Sequence, residues 1–159
     1  MAGIINFKNQ LQKIKILGID SSVFIYKFEQ NAQYESLCSV VFERLSNNKL
    51  NIITSVVTVA EVLSKPLEMR DQKVIGLYEA AFYGLPNFEL VELDYVLAKQ
   101  AATLRAKYKI LLPDAFQISA SLKYNAQAFL TNDKKLKKVK ELKILCLKDY
   151  VQIRSQTTH

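Results

Sequence analysis

Residues 14–19, IKILGI, form a short apolar and β-branched run that predicts a strand buried on both faces, as in a parallel sheet. Beyond it, Tyr34, Leu37, Cys38, Val41, Phe42 and Leu45 recur at spacings of three and four, laying one apolar face along a helix that ends near Asn47-Asn48. Residues 51–54 read as a second strand. Residues 56–64 read as a helix stopped by Pro66, because proline disfavours helical geometry in the residue before it. A helical stretch follows over 68–83, and FELVEL at 88–93 alternates apolar and acidic positions, which suits a strand near the sheet edge. Another helix spans 95–108. After a turn at Leu112-Pro113, AFQISASLKYN is amphipathic, AFLT is a short strand, KKLKKV is a basic helical turn or two, and KILCL is a last strand.

Strands that alternate with helices in this way predict a three-layer α/β/α domain with a mostly parallel, twisted central sheet, since parallel strands need crossover helices. There is no internal repeat and no low-complexity linker. The expected organisation is one domain over 14–150, preceded by an N-terminal extension (1–13) and followed by a flexible tail (151–159). Residues 1–12 and 152–159 are expected to be loose.

The composition agrees with one folded domain: 159 residues, half of them hydrophobic and 23% charged. A net charge of +7 favours an anionic partner, nucleic acid first, although many basic proteins bind nothing anionic. Cys38 and Cys146 lie far apart on apolar faces without a CxxC pattern and read as reduced core residues. The only histidine is His159, which leaves histidine base catalysis and zinc hydrolysis almost nothing to stand on. The start, MAGIINFKNQLQK, does not read as a signal peptide, so a cytoplasmic protein is expected. The longest uncharged apolar stretch, about 50–60, falls well short of the ~20 residues a membrane span requires, and no membrane association is expected.

Against this background four carboxylates stand out, each where an apolar run ends or is interrupted: Asp20 in ILGIDSS, Glu61 in TVAEVL, Asp114 in LLPDAF and Asp133 in FLTND. Ligands of open α/β sheets bind at the carboxyl ends of strands, beside the point where strand order reverses, and Asp20 and Asp133 occupy such ends. Brought together, the four would repel one another unless a divalent cation joined them. Helix capping is the plainer account of Asp20, Asp114 and Asp133 taken singly. Glu61, embedded in VVTVAEVL, has apolar neighbours on every side and either reaches solvent or needs a partner.

The blocks DSSVFIY, TSVVTVAEVL, LPDAFQISASLKYNAQAFLTND and KILCLKDY, in this order, resemble those of PIN-domain ribonucleases, in particular the VapC-type toxins of bacterial toxin–antitoxin pairs, over residues 14–150. Four blocks in order, each with its acidic residue, are far more specific than one. The resemblance implies a PIN-like α/β fold and an active site in which Asp20, Glu61, Asp114 and Asp133 work with Mg²⁺ or Mn²⁺. Asp20 and Asp114 would be the main metal ligands, Asp133 would complete the site, and Glu61 would orient the attacking water. Ser21, Thr131 and Asn132 match positions that hydrogen-bond this cluster. A small antitoxin covering the site and a homodimer packed through helices are implied as well. Two departures are visible: Ser22 stands where many family members carry asparagine, and about a dozen residues precede the first strand.

The chemistry such a site offers is phosphodiester hydrolysis, because a carboxylate-held cation offsets phosphate charge and acidifies water. Oxygen ligands alone suit Mg²⁺ or Mn²⁺ better than zinc. Lys134, Lys135, Lys137, Lys138, Lys140 and Lys143 follow Asp133 and are placed to neutralise RNA phosphates, with Arg105, Lys107 and Lys109 as a second patch, although a solvated helix face explains such a run equally well. Tyr26 and Tyr124 are candidates for stacking on bases, with core packing or ordinary surface placement the plainer reading. The leading expectation is therefore a metal-dependent endoribonuclease and toxin. The alternatives are a catalytically silent PIN-like domain that binds RNA or a protein partner, and a phosphatase using Asp20 as nucleophile, which the absence of a DxDxT pattern in DSSVFI disfavours.

Overall fold

A computed structural model describes residues 2–151; the expected loose tail at 152–159, with His159, lies outside the described residues. Helices and strands alternate as α1 (Ala2–Gln12), β1 (Ile16–Ile19), α2 (Ser21–Phe28), α3 (Glu35–Ser46), β2 (Asn51–Ser55), α4 (Val56–Glu68), α5 (Gln72–Gly84), β3 (Phe88–Val91), α6 (Tyr95–Tyr108), α7 (Leu112–Lys123), β4 (Ala128–Thr131) and β5 (Lys143–Cys146). Short 3₁₀ turns at Lys134–Lys138 and Leu147–Asp149 flank β5. The five strands form one sheet in the order β3-β2-β1-β4-β5. Every neighbouring pair is parallel, with Leu17 opposite both Ile52 and Ala128. No helix among the described residues is long and apolar enough to cross a membrane.

The apolar runs are buried on both faces because the strand period sends alternate side chains to opposite helical layers. Leu17, Ile19, Ile52, Ala128, Leu130 and Leu145 enter one core with α1, α2 and α3. Phe129 and Ile53 face the other layer, where α6 and α7 bring Leu104, Ile118, Leu97 and Ala120. The predicted face of α3, from Tyr34 to Leu45, is buried in full. β3 sits at the edge, as its acidic alternation suggested. Cys38 and Cys146 are buried and unpaired.

One close approach fixes α7 against the sheet. A Cβ on Gly18 would stand 1.9 Å from Ser121 Oγ and 3.0 Å from Phe129 Cδ2, so only glycine at the middle of β1 lets α7 pack this near. That contact sets the position of the α7 N-terminus, where Asp114 lies.

Three expectations are corrected. Residues 2–12 are not loose: they form α1, and Phe7 and Leu11 are fully buried in the main core, with the Phe7 ring 4.9 Å from that of Tyr150. Pro66 does not stop α4. It is buried, and the helix continues to Glu68 because the amides of Met69 and Asp71 still reach the carbonyls of Lys65 and Pro66, each at 2.9 Å. Leu112-Pro113 is not a turn before α7 but its first turn, where proline's missing N–H costs nothing. The sequence reading had also left 21–28, a full helix, unassigned.

Because α1 belongs to the core, Phe7→Ala is expected to cost about 3–5 kcal/mol of stability in denaturant unfolding. An unchanged midpoint would mean that the segment contributes nothing.

Candidate active site

Asp20 is the residue that ends β1 and caps α2. Its Oδ1 accepts the Ser22 amide (3.0 Å) and the Ser22 hydroxyl, while Oδ2 accepts the Thr131 hydroxyl from the end of β4. Both the capping and the cluster readings of this aspartate therefore describe the same side chain. Only 7% of Asp20 is exposed, and desolvation pushes its carboxyl up to about 6 against the opposing pull of its hydrogen bonds.

The strand order reverses between β1 and β4, since β2 and β3 extend from β1 on one side and β5 from β4 on the other. Asp20 and Thr131 thus flank the crevice at the carboxyl ends where open α/β sheets bind ligands. Asp133 follows from β4. Its Oδ1 accepts the Lys135 amide (2.9 Å) and its own amide donates to Thr131 Oγ1 (3.0 Å). Thr131 therefore links two of the four acids.

Asp114 lies in the first turn of α7. Its carboxyl is pushed up to about 7, first by burial and then by the like charges of Asp20, Glu61 and Asp133. The four acids, delivered by four separate elements, consequently feel one another at Asp114. Glu61 stands on the outer rim, half a dozen residues into α4. Partial burial raises its carboxyl, and hydrogen bonds from Ser21 and Gln117 counter this. The Gln117 bond, Nε2 to Glu61 Oε1, is 2.8 Å.

This electrostatic neighbourhood is not a closed coordination cage. Among the described residues, no three His, Cys, Asp or Glu side chains stand close enough to hold one ion. The residues present nonetheless fit a hard divalent cation in kind: the donors are all oxygens, Asp20 carries a burial penalty, and Asp114 carries one of burial and repulsion that a cation would relieve.

The supporting positions divide. Ser21 and Thr131 touch Glu61 and Asp20. Asn132 touches none of the four; it donates to Tyr26 Oη (3.0 Å) and accepts the Lys148 amide (3.1 Å), tying the β4 end to α2. Ser22, the departure from the usual asparagine, supplies two donors to Asp20. Gln117, Thr58 and Thr54 were missed by the sequence reading. The one local hint was that Gln117 follows Asp114 by three, on the same helical face.

The basic groups also divide. Lys109, Lys135 and Lys138 line a cavity of about 180 Å³ together with Asp114 and Asp133. Lys134 (3.5 Å) and Lys137 are paired with Asp149, Lys107 with Glu141 (2.6 Å), and Lys143 reaches Gln10 on α1 (3.0 Å). Arg105 lies near the Ile110 carbonyl (3.5 Å). Neither tyrosine sits as a free stacking platform. Tyr26 is stacked on Tyr34 at 4.8 Å, and Tyr124 lies with Asn51 and Ile16 at the amino ends of the strands, the opposite end from the acids.

The PIN domain family model matches residues 18–142, which takes in all four acids and the crevice between β1 and β4. The chain belongs to the PIN domain family. Solved structures with the same fold include VapBC2 from Rickettsia felis, solved bound to a DNA fragment from their promoter, at 17% identity and TM-score 0.63, covering 82% of this chain and 98% of that one. A toxin–antitoxin complex from Klebsiella pneumoniae matches at 16% identity and TM-score 0.60, covering 84% and 98%. FitAcB from Neisseria gonorrhoeae matches at 20% identity and TM-score 0.61, covering 83% and 97%. No curated protein sequence matches the chain.

The raised carboxyls of this PIN domain set a pH dependence. Asp20 and Asp114 keep protons in the folded state that the unfolded chain releases from about pH 4. Folded stability is therefore greatest below pH 4 as far as these groups are concerned, and falls as the pH rises through about 6 and about 7. For Asp20 the loss is on the order of 3 kcal/mol. Chelator-treated protein should accordingly unfold more easily at pH 8 than at pH 5, and Asp114→Asn should stabilise it at pH 8. A wild-type midpoint that rises over this interval would contradict the assigned burial.

Proposed function

We propose that this PIN domain is a metal-dependent endoribonuclease that hydrolyses RNA phosphodiester bonds, and that it is the toxin of a type II toxin–antitoxin pair. The observation that supports it most is the crowding at Asp114, where burial and three like charges lift one carboxyl to about 7. Perturbed carboxyls in a crevice at the strand ends are a signature of a functional site rather than of surface capping.

In this reading Asp20, Asp114 and Asp133 hold Mg²⁺ or Mn²⁺, and when bound the ion supplies charge neutralisation at the phosphodiester and a lower pKa for water. Ser22 and Thr131 orient the Asp20 oxygens. Glu61, held by the Gln117 amide, orients the attacking water and takes up its proton. Lys109, Lys135 and Lys138, on the wall shared with Asp114 and Asp133, neutralise the phosphates beside the scissile bond. An antitoxin partner, which the solved relatives suggest, would cover this crevice in a cytoplasmic complex, and a homodimer is part of the same proposal.

A second reading has its own observation. No three acids reach one ion among the described residues, and Asp133 is engaged on the Lys135 amide, which suits a catalytically silent PIN-like domain that binds RNA or a protein. RNA cleavage with Mg²⁺ or Mn²⁺ separates the two. Wild type should cut and Asp20→Asn should lose about a hundredfold or more. Full retention by the mutant overturns the role of Asp20, and inactivity of both favours the silent domain.

Mg²⁺ should also raise the melting temperature at pH 8 by mass action, with coincident melts counting against a site for the ion. For RNA binding, replacing Lys135 and Lys138 together by alanine should lower the slope of log affinity against log salt by about 1.4 on single strands. The same change at Lys134 and Lys137, already paired with Asp149, should lower it less.

A further inference from the structure

Behind Glu61 runs a buried chain of hydrogen bonds that ends on the strand carrying Asp20. Gln117 Nε2 donates to Glu61 Oε1 (2.8 Å) and to Thr58 Oγ1 (2.9 Å); Thr58 and Thr54 share a bond of 2.7 Å; and Thr54 Oγ1 donates to the Ile19 carbonyl (3.0 Å). Thr54 and Thr58 are fully buried and Gln117 is 1% exposed.

The direction of this chain follows from donor arithmetic. A backbone carbonyl only accepts, so the single proton of Thr54 is committed to Ile19. Thr54 Oγ1 must then accept from Thr58, which commits the proton of Thr58 as well. Thr58 can therefore only accept from Gln117, and the amide must present its N–H side. The same NH₂ group supplies the remaining proton to Glu61. The amide orientation is thus dictated from a β-strand three hydrogen bonds away as well as by Glu61 itself.

The other atom of the amide shows what this constraint costs. Among the described residues Gln117 Oε1 is buried without a partner, which ordinarily costs about 1–3 kcal/mol. Turning the amide over would aim that oxygen at Thr58, whose proton is already committed, and at the Glu61 carboxylate, which repels it. The orphan acceptor is the less costly of two incomplete arrangements.

We propose that Gln117 is a positioning residue for Glu61, held by the Thr58–Thr54–Ile19 chain so that Glu61 meets a donor and stays aimed at the crevice. This rests on the nuclease reading for its catalytic consequence, but not for its geometry. The chain also couples Glu61 to β1, whose next residue is Asp20, so the two acids are placed by one hydrogen-bonded unit.

The test acts at the far end of the chain. Thr54→Val preserves shape and removes the hydroxyl without touching Glu61, freeing the Thr58 proton so that Glu61 alone is left to orient the amide. The side-chain amide resonances of Gln117, read by ¹⁵N NMR in wild type and variant, should shift and lose exchange protection, and Thr54→Ser should restore them. Cleavage by Thr54→Val should fall about ten- to a hundredfold in kcat with KM retained. Adding Thr54→Val to Gln117→Met should lower it no further, since both act through one bond. Unchanged amide resonances, or losses that add in the double variant, would overturn the proposal. Should wild type cut no RNA, the nuclease reading falls alone, and the amide resonances still decide the chain.

Discussion

The structure depends on like charge held at close quarters. Asp20, buried and bonded to Ser22, and Asp114, at the start of α7, both have raised carboxyl pKa values, and neither forms an ion pair with a lysine or arginine among the described residues. What keeps them there is backbone: the strand order that abuts β1 and β4, and the close packing of α7 on Gly18. Core burial elsewhere offsets the local repulsion. The aromatic cluster on the far side of the sheet, with Phe24 within 5.5–5.8 Å of Phe82, Phe42 and Phe88, lies in the core that does so.

The basic charge of the chain is less concentrated at the site than its lysine run suggests. Lys134 and Lys137 are spent on Asp149 and Lys107 on Glu141, which makes them braces for the surface around β5 and the α6 end. Lys109, Lys135 and Lys138 remain beside the acids. Three lysines and two carboxylates line the same small cavity, so positive and negative charge meet there.

How much could be read without coordinates differs by element. The strands were legible because residues such as Leu17, Ile52 and Leu130 are buried in short β-branched runs, and the order of the four acids was legible because each closes or interrupts such a run. α1 was missed although Ile4, Phe7 and Leu11 stand at helical spacing, because its fit depends on Tyr150, more than 140 residues away in sequence. Pro66 misled because a local rule about the preceding residue was outweighed by burial. Within the site, Asp20 and Asp114 were visible as acids at element ends, but Gln117 was not singled out, since its role exists only through Thr58, 59 positions away.

The bond from Thr131 to Asp20 spans 111 residues. β1 cannot gain its β4 neighbour, nor Asp20 its second oxygen partner, until Thr131 has left the ribosome. Synthesis proceeds at roughly 5–20 residues per second, so a growing chain spends several seconds with its acids apart. The acid cluster is therefore a late product of chain synthesis, brought together only when the sheet gains its fourth strand.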